Sequence, residues 1–483
     1  LHKEYRRQRQ MCIRDRYDYW EMMRKHPRCI GGFLWVLADE GVKRVDMDGF
    51  IDNQGNFGAD GIVGPHHEKE GSFYTIKQLW SPVQIMNTSV DKQFDGKFSV
   101  ENRYDYLNLN TCRFLWKQVK FPTATDASNT TAQVLKQGEV QGSDVAAHSA
   151  GVLDIKTTIL PDADALFLTA IDRYGHELWR WTFPVNKLNQ ANEVLSPLSN
   201  KVTSTETENE LTVKAKNHTF IFSKKDGQLK GVSVNNRKIS FANGPRFIGA
   251  RRADRSLDQF YNHDDEKAKE KDRTYSEFPD AAVFTKLDVK EDGGNLIVTA
   301  NYKLGNLDKA QWTINPSGEA VLDYTYNFSG VVDLMGICFD YPEDQVISKR
   351  WLGAGPYRVW QNRIHGTQYD VWENDYNDPI PGETFTYPEF KGYFGSVSWM
   401  NIRTKEGTIS LTNETPDAYI GVYQPRDGRD RLLYTLPESG ISVLNVIPPV
   451  RNKVNSTDLC GPSSQPKWVN GPQSGRIIFR FME

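Results

Sequence analysis

The densest gathering of chemically useful side chains runs from Trp351 to Tyr376. There Trp351, Tyr357, Trp360, Tyr369, Trp372 and Tyr376 alternate with Arg358, Arg363, Asp370, Glu373 and Asp375. Flat rings stack on the C–H faces of sugars and arginine forks grip carboxylates, so the run suits a loop that reads acidic or decorated glycans. It suits equally a long connection between strands, pinned by its own rings. His263-Asp264-Asp265 sets metal-ligating types side by side, yet nothing else supplies matching ligands. The charged stretch 251–275 around it reads as a solvated loop or helix. The five cysteines (Cys12, Cys29, Cys112, Cys338 and Cys460) are odd in number and lack CxxC spacing. Neither a zinc site nor a disulfide framework is indicated.

The elements that must position these groups are mostly strands. At 483 residues the chain has room for about two to four domains. A net charge of -3 gives no electrostatic case for nucleic acid. Its apolar runs fall well short of the ~20 residues of a membrane span. Aromatic content of 12% is what β propensity alone would produce, with a sugar-binding surface as the functional alternative. Residues 1–16 carry Lys3, Arg6, Arg7, Arg9, Arg14 and Arg16 without an apolar stretch behind them, so they do not read as a signal peptide. They read as a non-native junction, with a basic nucleic-acid arm as the alternative.

Tyr19, Trp20, Met23 and His26 recur at helical spacing, and Pro27 ends the run. Ile30 to Ala38 follows as a continuous apolar stretch, the signature of a strand buried on both faces. Residues 66–80 form a second helix candidate, closed by Ser81-Pro82. Helix and buried strand in that order are α/β-barrel grammar. Beyond Pro82 come short alternating runs: Val83 to Met86, Phe98 to Asn102, Phe114 to Val119, Val152 to Thr158, Ala165 to Ile171 and Leu178 to Phe183. They suggest an immunoglobulin-like sandwich, with a polar linker over 186–208. From Leu211 the strands lengthen, for example His218 to Ser223, Leu296 to Tyr302, Ala320 to Phe328, Thr408 to Thr412 and Arg476 to Phe481. They imply two large packed sheets.

Tyr19-Trp20, Pro27-Arg28, Gly31-Gly32-Phe33-Leu34-Trp35 and Asp39-Glu40-Gly41 carry a family likeness, continued by Asn56-Phe57-Gly58-Ala59-Asp60-Gly61-Ile62-Val63. In this order they resemble the last barrel strand of family 2 glycoside hydrolases of the β-galactosidase type, and Val100-Glu101-Asn102-Arg103-Tyr104-Asp105 is in the matching module. The resemblance implies a mainly β chain. Residues 17–86 would be the end of a (β/α)8 barrel, 87–195 an immunoglobulin-like sandwich, and 205–483 a small-chain β-supersandwich. It also implies retaining hydrolysis of terminal β-linked sugars, β-galactosides first among them, by two glutamates ~5–5.5 Å apart. Both precede Ile30 in the family. Only Glu4-Tyr5 lies at the spacing of the nucleophile motif, and the residues after it do not match, so the chain is expected to be a fragment lacking its catalytic pair.

On the same resemblance Trp35 would line the sugar subsite, and Asp39 and Glu40 would hold the family's Asp-Gln positions, where helix-cap roles are the alternative. The Phe57 carbonyl and the Asp60 side chain would bind sodium, with magnesium added in the intact enzyme. The expected partner is a carbohydrate, with neither nucleic acid nor membrane, and the intact enzyme would be a homo-oligomer. The departures bear on specificity. Val36 and Leu37 replace the family's Asp and Trp, Gly353 to Arg358 lacks its His-Glu-Asn, and Asp458 to Ser463 lacks its loop Trp, for which Trp468 could substitute. β-Glucuronidase, β-mannosidase and a non-catalytic carbohydrate-binding protein therefore stay open.

Overall fold

The computed structural model describes residues 16–52, 61–126, 130–185, 201–252, 275–375, 392–422, 437–449 and 461–483. Glu4, Phe57, Asp60 and His263-Asp264-Asp265 lie outside them. The first helix, α1 (Arg16–Lys25), has Asp18 in its first turn and Arg24 and Lys25 in its last, as the helix dipole favours. The second, α2 (Gly71–Leu79), starts later than the sequence suggests. His66 to Lys69 are spent on a turn closed by Gly64 N–H to Glu68 O, and Glu70 is still extended.

The buried strand expected over Ile30 to Ala38 does not form. Only Ala38 makes a bridge, parallel to Val63. A strand buried on both faces needs neighbours on each edge, and among the described residues only 61–63 run alongside. Ile30, Phe33 and Leu37 are consequently exposed, as are Val42, Val45, Met47 and Phe50 on or beside a small hairpin of β1 (Val42–Arg44) and β2 (Phe50–Asp52). Further on, α2 buries Ser72, Thr75 and Leu79, while Trp80 just past it is 44% exposed.

Next come β3 (Val83–Ile85), β4 (Lys97–Asn102), β5 (Arg113–Lys120), β6 (Gln133–Gln141), β7 (Ser149–Asp154), β8 (Ala165–Ile171) and β9 (Glu177–Pro184). They build two antiparallel sheets, β3-β4-β7 and β6-β5-β8-β9. Alternation along β4 turns Phe98 and Val100 inward onto Phe114, Trp116, Leu166 and Leu168. β8 is buried on both faces: Ala165 and Phe167 look outward onto the following domain. Asn102 is fully buried, and its amide donates to Leu107 O and Val145 O, which fixes the corner after β4.

The remaining strands are β10 (Thr203–Glu206), β11 (Glu210–Ala215), β12 (His218–Ser223), β13 (Leu229–Val234), β14 (Arg237–Ile239), β15 (Ala242–Arg252) and β16 (Tyr275–Glu277). Then follow β17 (Val283–Asp292), β18 (Asn295–Lys303), β19 (Leu307–Ile314), β20 (Ala320–Val332), β21 (Leu334–Asp340), β22 (Val346–Gly355) and β23 (Gln368–Asp375). The series ends with β24 (Trp399–Thr404), β25 (Gly407–Asn413), β26 (Tyr419–Val422), β27 (Ile441–Val446) and β28 (Lys467–Met482). One sheet runs β10-β11-β12-β13-β15-β21-β27-β26, with β14 and β16 at its margin; the other runs β17-β18-β19-β20-β28-β25-β24-β22-β23. β10 thus lies within the stretch read as linker.

The two sheets close on one core. Trp312 of β19 is 1% exposed and packs on Phe222, Phe339 and Phe479, which come from both sheets. β21 is buried on both faces, and its other side carries Leu334 and Cys338 against Val359, Trp360 and Tyr393. The aromatic run from Trp351 is therefore two paired strands with a connection between them, Trp351 facing Trp372 in the ladder. Trp351 and Trp360 are core residues, not sugar-facing rings. Among the described residues no helix is long and apolar enough to cross a membrane.

Candidate functional site

The segment carrying Trp35 and Asp39 is laced to residues 61–63. Val36 O and Leu37 O accept from Ile62 N–H, Leu37 O also from Val63 N–H, and Asp39 N–H donates to Val63 O at 2.9 Å. Asp39 is 7% exposed, and its Oδ1 accepts from Gly61 N–H at 2.7 Å. Gly61 is required there, since a Cβ would lie 2.4 Å from Asp39 N and 2.5 Å from Ala38 C. Trp35 is 41% exposed, and so presents indole surface next to a buried carboxylate anchor.

Beneath Asp39 lies a residue that no sequence motif marks. Glu70 closes the start of α2 without capping it through its side chain, and it is 6% exposed. Its Oε1 has no hydrogen-bond partner. Burial first, then the charges of Asp39 and Glu68, push the Glu70 carboxyl up to about 8, against the pull of Arg363. A raised carboxyl pKa is what a general acid needs. Glu70, however, is only 6% exposed, which does not suit a group that must reach a leaving-group oxygen.

The connection between β22 and β23 mounts these helices on the large domain. Tyr357 Oη donates to Lys69 O, Thr75 Oγ1 donates to His365 O, and Gly366 N–H donates to Gln78 Oε1. A Cβ at Gly71 would lie 2.8 Å from Arg363 Nη2, so the guanidinium packs close against the helix start. Tyr17 stacks on the His365 ring at 4.4 Å, and burial holds that imidazole below its ordinary pKa. From the C-terminal side, Ser463 donates its N–H and Oγ to Asp18 Oδ2 at 2.9 and 2.6 Å. Hydrogen bonds to a charged acceptor contribute about 1.5–3 kcal/mol each. Asp18→Ala is accordingly expected to free the 461–465 segment from α1, seen as faster amide exchange there. Unchanged exchange would show that the contact holds nothing.

Among the described residues no group of His, Cys, Asp or Glu could hold a metal ion. Cys29, Cys112 and Cys338 are free thiols. Trp468 is largely exposed on β28.

Comparison with known proteins finds likenesses for the large domain and for most of the chain. Residues 214–446 match the beta galactosidase small chain family. The chain is also similar to the β-galactosidase of Priestia megaterium, 23% identical over 431 residues that make up 83% of this chain and 39% of that protein. For the β-galactosidase of Oenococcus oeni the identity is 22% over 415 residues, 79% of this chain and 38% of the relative. For that of Pseudoalteromonas haloplanktis it is 20% over 406 residues, 75% and 37%. The chain thus spans less than two fifths of the length of these relatives. Together the matches support a β-galactosidase-like glycosidase family for this mainly β, sandwich-built chain.

Proposed function

We propose that this chain is the β-rich scaffold and one wall of the sugar site of a retaining family 2 glycoside hydrolase acting on terminal β-linked sugars, β-galactosides first among them. The observation that carries the reading is the small-chain match over 214–446, in one chain with the Trp35–Asp39 segment. On this reading residues 17–86 are the end of a (β/α)8 barrel, consistent with the parallel bridge between Ala38 and Val63. The two-sheet module over β3–β9 is the immunoglobulin-like domain.

Trp35 supplies the ring on which a pyranose stacks, and Asp39, through Gly61, holds that segment in place. Phe57 and Asp60 remain the proposed sodium ligands, by resemblance alone. The Glu pair of retaining hydrolysis is not among the motifs present, so this chain is expected to bind sugar without turning it over.

The test pairs catalysis with binding. The purified chain should release no nitrophenol from nitrophenyl β-galactoside, while Trp35→Ala should weaken galactose binding by about tenfold, ~1.4 kcal/mol. Turnover above background would refute the inactivity, and equal galactose affinity in the variant would refute the subsite.

A further inference from the structure

A second cleft, separate from Trp35 and Asp39, lies where the helices meet the sandwich. Its volume is about 710 Å³, and Trp20, Trp80, Glu101, Arg103, Asp105 and His148 line it. Pockets of ~300–1,000 Å³ suit small ligands. One wall is aromatic: Trp80, just past α2, is 44% exposed, with its ring centroid 5.5 Å from that of Trp20. An indole left this open at the mouth of a cleft is a stacking platform.

The opposite wall is polar and already neutralised. Arg24 pairs with Glu21 at 3.1 Å and Glu101 at 3.3 Å, while Arg103 pairs with Glu101 at 2.8 Å and Glu21 at 3.7 Å. At the rim His148 Nε2 sits 3.1 Å from Asp105 Oδ1, both side chains mostly exposed. An anionic ligand would have to displace Glu21 and Glu101 from the guanidiniums. A wholly apolar ligand would cover these polar groups without satisfying them. The ligand that matches both walls has an apolar face, several hydroxyls and no net charge.

We propose that this cleft binds a neutral saccharide, which stacks on Trp80 and hydrogen-bonds through its hydroxyls to the Glu101, Arg103, Asp105 and His148 wall. It is a second carbohydrate site, independent of the Trp35 subsite.

Calorimetric titration of the whole chain with lactose tests it, with lactobionic acid as the anionic counterpart. Lactose should bind in preference to the acid. Trp80→Ala should weaken this binding about tenfold or more, and the rim variant His148→Ala severalfold. Because His148 is surface-exposed, its variant keeps the test sound if Trp80→Ala misfolds. Trp35→Ala should leave this site unchanged, which separates failure here from failure of the subsite above. Lactose binding unaltered in both cleft variants, tighter binding of lactobionic acid, or no lactose binding by the wild type would each overturn the proposal.

Discussion

Replacing Trp399 by alanine is expected to destabilise the chain by about 3–5 kcal/mol, the range for a buried Trp or Phe truncated to alanine. Trp399 is completely buried in the seam between the sandwich and the large two-sheet domain, where Val119, Phe121, Ala124, Ala165 and Phe167 meet Leu352. Its indole N–H donates to Pro122 O at 3.1 Å, and the Arg350 guanidinium lies 5.1 Å from its ring centroid. Asn401, two residues on, donates to Ala124 O at 2.7 Å, and Arg180 of the sandwich pairs with Asp370 of β23 at 3.0 Å. Loss of the indole opens a cavity, orphans a carbonyl and removes the ring beneath a cation at once. Scanning calorimetry should therefore show the wild-type transition resolve into separate transitions of the sandwich and of the large two-sheet domain. A variant that unfolds at the wild-type temperature in one step would show that the seam does not couple the domains.

Glu70→Gln should change the pH dependence of stability more than any surface substitution. The Glu70 carboxyl is raised from 4.5 to about 8 in the folded chain. Between those values the folded state keeps a proton that the unfolded state has released, so stability falls as pH rises through the window. Below about 4.5 both states are protonated and Glu70 contributes nothing; above about 8 both are ionised and its penalty is complete. A tenfold difference in proton affinity between folded and unfolded chain corresponds to about 1.4 kcal/mol, which puts the full penalty on the order of a few kcal/mol. Glutamine keeps the shape and carries no charge. Urea midpoints of wild type and variant should coincide below about pH 4 and diverge by pH 9, with the variant more stable. Taking the difference between the two proteins removes common titrations such as that of His365. Parallel pH curves would sink the account.

Much of the strand architecture is legible in the sequence because alternation is a local property. The expected runs at His218 to Ser223 and Ala165 to Ile171 are β12 and β8. Other strands extend beyond their alternating pattern. Arg476 to Phe481 is the end of β28, a strand of 16 residues whose first half, interrupted by Asn470, Gly471 and Pro472, pairs with β20 despite its weak strand pattern. Ile30 to Ala38 fails for the opposite reason: its pattern is that of a central strand, but strand formation depends on neighbours that local pattern does not reveal. At the site, Trp35 and Asp39 stand out by motif. Glu70 does not, because its burial depends on Arg363 and Tyr357, contributed from almost three hundred residues away. Such a pairing leaves no local trace in either segment.

The order of the nine-stranded sheet sets a timetable for the ribosome. β28 is made after every other strand of that sheet, yet it lies at the middle, with β20 on one side and β25 on the other. While the chain is being synthesised, β17–β20 and β22–β25 are two half-sheets, with unsatisfied backbone edges at β20 and β25. Such edges invite pairing with other nascent chains. This domain therefore cannot close until β28 has left the exit tunnel, and its demand on cellular chaperones falls in the interval before that.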